Sequence, residues 1–332
     1  MLKQKVTLFF RKPNPGNFSI EQIFTGLFRN VKTEFTIEKL TLHFPGFGVN
    51  NRLRNILWVR KQKAAVYHIT GDINYISLAL AAKKTVLTIH DCGYMHTSNP
   101  LKRFILDLFW IKLPAQKVKY ITAVSQIAKE EFVSYAGIHP NKVHVIYNYV
   151  DPAFQPSALT FNKVFRILHI GTKANKNLTR LIGAITGFKV QLVVIGKLNN
   201  EILKLLTESK IEFTNQFDLT KEALIKHYVQ CDLLCFASTH EGFGMPIIEA
   251  QAIGRPVLTS NISSMPEVAG EGALFVDPYS IDSIKKGILS LMENEKQRDS
   301  LIQAGFKNVK RFQRENIAAQ YITLYKSIIK KN

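Results

Sequence analysis

Two consecutive α/β domains, each a parallel sheet covered by helices on both faces, are the fold class this sequence predicts. Three observations lead there. At 332 residues the chain is longer than one ordinary compact core. Strand-like and helix-like segments alternate along it, as in parallel sheets packed between helices. After Asp151-Pro152 and a short connection through Pro156 the same alternation begins again, which places a first domain at residues 1–155 and a second at 156–314.

In the first domain the apolar runs Val6–Phe10, Phe35–Leu42, Val66–Thr70, Thr85–His90, Tyr120–Val124 and Val143–Tyr147 read as strands. The second repeats the pattern with Phe165–Ile170, Val190–Ile195, Ile211–Thr214, Leu233–Ala237, Pro256–Thr259 and Ala273–Val276. Ser125 stands where it can cap the helix after the fifth strand. The chain closes in three helical stretches, Ile281–Glu293, Lys296–Phe312 and Glu315–Ile329. In the last of these, set off as residues 315–332, Ile317, Tyr321, Leu324, Tyr325 and Ile328 form one apolar stripe to be buried.

Composition narrows the class. The chain is 46% hydrophobic and 21% charged, without low-complexity tracts, which suits a packed enzyme or binding protein. The N-terminal apolar run Val6–Phe10 is too short for a signal peptide, and no run approaches the roughly 18 residues of a membrane span, so a cytoplasmic protein is expected. Of the three cysteines, Cys92, Cys231 and Cys235, the last two share one face of a strand and read as buried thiols and not as a disulfide or metal site. The net charge is +19, of which residues 1–155 carry +12 and the rest +7. No dense basic block or nucleic-acid module accompanies it, so no nucleic-acid partner is expected. An anionic membrane face or a diphosphate-bearing substrate fits the charge better.

The strongest local signal is Ser238-Thr239-His240-Glu241-Gly242-Phe243-Gly244-Met245-Pro246-Ile247-Ile248-Glu249-Ala250. It leaves a strand and passes through glycines into a helix, so backbone N–H groups would face a bound anion, and Gly242 and Gly244 permit close approach of a phosphate. Glu241 on the loop can reach a sugar hydroxyl, and Glu249, farther into the helix, a ribose. Met245 and Pro246 open the helix beside the phosphates, with Phe243 between the glycines. A plain strand-turn-helix unit with solvated glutamates is the alternative.

These residues resemble the E-x7-E motif of glycosyltransferase family 4, the group 1 retaining enzymes of GT-B fold. The likeness continues through Ala252-Ile253-Gly254-Arg255-Pro256-Val257 and Ser263-Ser264-Met265-Pro266-Glu267-Val268-Ala269-Gly270 to Pro278. A second match, Ile170-Gly171-Thr172-Lys173-Ala174-Asn175-Lys176-Asn177-Leu178, places Lys176 where the family keeps a lysine for the donor diphosphate. The arginine many relatives carry in that loop is missing, and Lys173 stands as its replacement, a point charge without arginine's fork. In the first domain His90-Asp91 ends a strand where the family often has a histidine near the reacting sugar, and Gly16 and Asn17 lie in the loop after the first strand, on the acceptor side.

The resemblance implies a GT-B architecture of two Rossmann-like domains facing a central cleft, with the closing helix crossing back to the first domain. It implies a hexosyl transfer from a nucleotide diphosphate sugar to a saccharide or lipid-linked acceptor, in cell-envelope or surface polysaccharide synthesis. His90, Glu241 and Lys176 would be catalytic, while Gly171, Lys173, Lys176, Glu241, Gly242, Phe243, Gly244, Met245, Pro246 and Glu249 would bind the donor. No cofactor and no metal is expected beyond the nucleotide-sugar co-substrate, because lysine and amides can supply the positive potential and no Asp-x-Asp or His/Cys cluster occurs. A GT-B-shaped epimerase or phosphorylase and a silent basic scaffold remain alternatives, whereas no Gly-x-Gly-x-x-Gly supports a dehydrogenase. Finally, Phe104, Ile105, Leu108, Phe109, Trp110 and Ile111 among Lys102, Arg103, Lys112, Lys117 and Lys119 read either as a helix packed on the first domain or as a peripheral contact with the inner face of the membrane.

Overall fold

The computed structural model describes residues 3–12, 19–29, 34–96, 99–159 and 162–331. The chain divides into two compact units, Met1–Tyr149 with Arg314–Asn332, and Val150–Gln313.

The first unit is built on a parallel sheet of β1 (Gln4–Phe10), β2 (Phe35–Thr41), β3 (Val66–Ile69), β4 (Thr85–Ile89), β5 (Tyr120–Ala123) and β6 (Val143–Val145), in the order β2-β1-β3-β4-β5-β6. Register is set by pairs such as Val6 with Val66, Tyr67 with Thr85 and Val86 with Tyr120. Inner strands β3, β4 and β5 are buried along their whole length, which is why, His68 apart, they read as apolar or β-branched runs and show no alternation. Ser125 caps the helix Gln126–Ala136, accepting from Ala128 N–H at 3.0 Å, and Gly137 ends it with a left-handed φ of 63°.

The closing helix Arg314–Lys330 belongs to this unit because its stripe of Ile317, Tyr321, Tyr325 and Ile328 is buried, with Leu324 at its edge. It meets the sheet through a polar relay. The Tyr325 hydroxyl lies 2.5 Å from His68 Nδ1, His68 Nε2 lies 2.7 Å from Thr88 Oγ1, and Thr88 bonds Thr122 at 2.7 Å. Burial pushes His68 down to about 3, so the ring stays neutral.

The second unit repeats the architecture with β7 (Phe165–Ile170), β8 (Val190–Ile195), β9 (Glu212–Gln216), β10 (Leu233–Phe236), β11 (Val257–Ser260) and β12 (Leu274–Val276), ordered β12-β11-β10-β7-β8-β9 and again parallel. Chain direction across the sheet reverses between β7 and β10, the switch point at which loops from the strand ends diverge and leave room for a ligand. Helices Leu178–Ile185 and Ile281–Glu293 seal one face with Leu181, Ile182, Ile185, Ile284 and Ile288. Buried Arg255 ties the connection to this unit by donating to the carbonyls of Ser157, Ala158, Tyr228 and Val229.

The junction falls at Tyr149–Val150, earlier than the 155/156 division read from the proline-bearing connection. Val150 N–H bonds Phe312 O at 2.9 Å and the Asp151 carboxylate pairs with Lys221, both contacts inside the second unit. All three cysteines are buried and unbridged, and burial holds Cys231 and Cys235 up at about 12, which makes them inert core thiols.

Candidate functional site

Two loops at the switch point carry the second unit's polar constellation. The first, 171–177, leaves β7 with Gly171 at φ 93° and makes a single turn over Ala174–Lys176. Asn177 then takes a left-handed φ of 64°, and its Nδ2 donates to Ala237 O at 2.9 Å and Pro278 O at 2.7 Å. Asparagine tolerates that backbone region better than most side chains, and its amide here bolts the loop to the end of β10.

The geometry brings Lys176 and Glu241 together directly. Lys176 Nζ lies 2.6 Å from Glu241 Oε1 and 4.7 Å above the Phe236 ring, with both charged side chains largely shielded. The lysine stem lies over Gly171, where a Cβ would come within 2.8 Å of Cγ and Cε. Asn175 completes the arrangement, donating from Nδ2 to His240 O at 2.9 Å and to Glu241 Oε1 at 3.4 Å, while its own carbonyl accepts from Thr239 N–H. A lysine near a helix start opposes the helix dipole. In the structure Glu241 compensates that charge.

The second loop is held from below by two serines. Ser263, itself at φ 58°, accepts from Glu241 N–H at 3.1 Å and donates to Glu241 O at 2.9 Å, and Ser264 Oγ lies 2.8 Å from Phe243 O. Gly244, at φ 105°, turns the chain into the helix Met245–Ile253, with Pro246 in its first turn and no side chain capping it. Phe243 lies between the two glycines of this loop. Its side chain is buried edge-on against Phe312, 5.6 Å away. Lys173 is exposed, and a second cation missed in the sequence, Arg180, bonds Asn177 Oδ1 at 2.9 Å and stacks over Tyr279.

Glu249 is the fifth residue of that helix. It accepts from the Tyr228 hydroxyl at 2.6 Å. Burial pushes its carboxyl up to about 7, opposed by the Tyr228 bond, while Asp151 adds to the rise and Lys221 opposes it. Behind the lysine, buried His169 bonds Cys235 O through Nδ1, and burial lowers it to about 4.

In the first unit His90 ends β4 with its ring over Gly71, whose φ of 141° and missing Cβ make room for it. His90 Nε2 lies 2.6 Å from Thr70 O. A carbonyl only accepts, so Nε2 carries a hydrogen, and Nδ1 is the ring nitrogen left to face a ligand. Asp91 is exposed and accepts from Gly93 N–H at 2.8 Å. Arg11, at the end of β1, pairs with Glu21 at 2.6 Å and with Asp72, which holds a left-handed φ of 58°. Gly16 and Asn17 lie outside the described residues. Among the described residues no group of three or more His, Cys, Asp or Glu side chains could hold a metal, and no helix is long and apolar enough to cross a membrane.

The residues that sequence reasoning missed as site members are Asn175, Asn177, Arg180, Ser263, Ser264 and Tyr228. The four in the loops sit inside the quoted motifs, where small polar residues among glycines are a loop-fixing signal. Tyr228 arrives from the helix Lys221–Gln230 and carried no local signal.

Residues 153–308 match the model of glycosyl transferases group 1, and residues 3–154 match that of glycosyltransferase family 4. Among curated relatives, the MMP alpha-(1->4)-mannosyltransferase of Mycolicibacterium hassiacum is 27% identical over 66% of this chain and 56% of that protein. The N-acetylgalactosamine-N,N'-diacetylbacillosaminyl-diphospho-undecaprenol 4-alpha-N-acetylgalactosaminyltransferase of Campylobacter jejuni is 28% identical over 74% of this chain and 71% of that protein. The chain spans between 24% and 56% of the length of several other relatives, the mycobacterial one included. Anabaena HepE, solved with UDP and glucose, superposes with a TM-score of 0.77 over 98% of this chain and all of that one, at 16% identity, a likeness of fold.

Proposed function

Because this chain belongs to the group 1 glycosyltransferases of family 4, we propose that it moves a hexosyl unit from a nucleotide diphosphate sugar to a saccharide or lipid-linked acceptor, with retention of anomeric configuration. The single observation that carries this reading is the shielded 2.6 Å pair of Lys176 and Glu241 at the β7/β10 switch point. The names of relatives point the same way: mannosyltransferases of O-antigen chains, and a transferase acting on an undecaprenol diphosphate. Synthesis of a surface polysaccharide at the inner face of an anionic membrane is the setting that we infer.

Cleaving a glycosyl phosphate leaves negative charge on the departing diphosphate and positive character on the sugar. Lys176, released from Glu241, would meet the diphosphate together with the N–H groups around Gly242 and Gly244. Glu241, losing the lysine, would take sugar hydroxyls in its place, which orients the ring as the leaving group is gripped. Glu249 would accept from the ribose, and His90 Nδ1 from a hydroxyl of the reacting sugar. Glu241 and Glu249 would attend the sugar hydroxyls and the ribose, not the two sides of the anomeric carbon as a hydrolase pair does, so we assign no glycosyl-enzyme. The acceptor oxygen forms its bond to the anomeric carbon on the face from which the phosphate oxygen departs, and that oxygen takes the acceptor proton. In this scheme Lys176 and the loop amides provide the positive potential without a metal.

Screening labelled nucleotide sugars for slow hydrolysis identifies the donor, and NMR of the transferred product gives its anomeric configuration. Retention of configuration is the expected result. An inverted product overturns the stereochemistry, and full donor turnover in both Lys176→Ala and Glu241→Ala overturns the site.

A further inference from the structure

Among the described residues, every large apolar side chain that the first unit exposes lies on two segments. One is the helix Val49–Val59 with the residue pair before it, exposing Phe47, Val49, Leu53 and Leu57. The other is the helix Pro100–Leu106 and its continuation, exposing Leu101, Phe104, Ile105 and Phe109. Phe47, Val49, Leu101 and Phe104 are each more than 60% exposed. On each helix these side chains recur at three- and four-residue steps, a stripe that would face the core had the helix been packed the other way round.

Packing shows why they face outward. On the first helix Asn55 and Val59 are buried, and Asn55 Nδ2 donates to Phe44 O and to the Tyr75 hydroxyl, at 3.0 Å each. On the second segment Trp110 and Ile111 take the inward positions. The basic stretch read from sequence as either a packed helix or a membrane contact is therefore divided, with its far end in the core and Leu101, Phe104 and Phe109 on the surface. Both helices border the same surface hollow of about 280 Å³, Arg52 from one and Leu101, Lys102 and Ile105 from the other. Arg52 also stacks 4.5 Å over the Trp110 ring.

The charge around this surface has one sign. Residues 44–63 contain five Lys and Arg and no Asp or Glu, and residues 99–119 contain five against Asp107 alone. Together they hold +9 of the +12 found in residues 1–155, and Asp107 is neutralised by Lys112 at 2.5 Å. Apolar stripes ringed by exposed cations complement a surface that is anionic outside and apolar a few ångströms deeper, which describes a bilayer of acidic lipids and not an acidic protein.

We propose that the Val49–Val59 and Pro100–Leu106 helices form one docking face for an anionic bilayer, with Phe47, Leu53, Leu57, Leu101 and Phe104 entering the headgroup boundary and Lys61, Lys102 and Arg103 meeting lipid phosphates. This deepens the reading of a membrane-side acceptor and rests on it only for its biological purpose. Attachment needs both elements, since neither a small apolar insertion nor a basic patch alone holds a protein to lipid firmly.

The test is flotation of the full chain with vesicles of phosphatidylglycerol and phosphatidylcholine, against phosphatidylcholine alone, at low and high salt. Binding to the acidic vesicles is expected, weakened about tenfold or more by salt. Leu53→Asp with Phe104→Asp, and separately Lys102→Glu with Arg103→Glu, should each weaken it about tenfold, with melting temperature and donor hydrolysis unchanged. Leu203→Asp, an exposed position of the second unit, should leave it intact. Equal affinity for both vesicle types, or undiminished binding by the apolar double variant, overturns the proposal, the latter by showing adsorption through charge alone. Absent donor turnover in a wild-type chain that still floats would sink the catalytic reading while leaving this one standing.

Discussion

Lys176 Nζ and Glu241 Oε1, 2.6 Å apart, are each other's counter-ion. A diphosphate that claims the lysine leaves a shielded carboxylate in need of new donors, which sugar hydroxyls supply and a bare nucleotide does not. Removing either partner should therefore cost both fold and function. Lys176→Ala and Glu241→Ala are each expected to slow transfer about 10²- to 10³-fold and to destabilise the second unit by about 1–3 kcal/mol, because the remaining group is left half-buried without its mate. The double variant should be less destabilised than the two losses added. Initial rates and thermal melts of the four proteins check this; strict additivity would show that the contact carries no coupling energy.

Gly171→Ala tests the floor beneath that lysine. The backbone there has φ 93°, and a Cβ would stand 2.8 Å from the Lys176 stem. A cost of about 1 kcal/mol from the left-handed backbone is expected, along with displacement of Nζ and about tenfold weaker binding of a nucleoside diphosphate in calorimetric titration. A variant with wild-type affinity would mean that Lys176 does not reach the phosphates.

Glu249 makes a pH prediction of two opposite signs. Its carboxyl stands at about 7 against an ordinary 4.5, raised first by burial. A group raised on folding stabilises fully below its unfolded value and loses that contribution as pH climbs through the folded one, so stability should fall by up to about 3 kcal/mol between pH 4.5 and 8. Donor affinity should move the other way, since an ionised carboxylate accepts ribose hydroxyls and a protonated one competes for them. Melting temperatures and donor titrations at pH 6 and pH 8 should show both slopes in wild type and neither in Glu249→Gln.

Much of this architecture was legible because parallel strands buried on two faces are apolar along their length: all twelve runs read as strands became β1 to β12, with ends shifted by a residue or two. The loops bearing Lys176 and Glu241 were legible for a different reason, since glycines and a strand-to-helix passage mark an anion site within one short segment. What stayed hidden was non-local. That Lys176 and Glu241, 65 residues apart, neutralise one another, that Tyr228 reaches Glu249, and that Phe243 turns inward onto Phe312 all depend on which strands become neighbours. The junction at Val150 was missed because prolines mark a bend in the chain, whereas the unit boundary is set by where Val150 and Asp151 find their partners.

The His68–Tyr325 contact gives the first unit an acid-sensitive clasp. Burial lowers His68 to about 3 from an ordinary 6.5. A group depressed on folding contributes stability that is present above its unfolded value and is lost as pH falls toward the folded one, so this unit should weaken by several kcal/mol from pH 6.5 downward. Tyr325→Phe removes the partner of His68 Nδ1 and should cost about 1–3 kcal/mol at neutral pH, while His68→Gln should flatten the acid limb. Buried His169 acts likewise in the second unit, so the readout must separate the two. Both tryptophans, Trp58 and Trp110, lie in the first unit, and tryptophan fluorescence in denaturant at pH 7 and pH 5 therefore reports that unit alone; an unchanged midpoint across this range would place the protonation of His68 outside its stability.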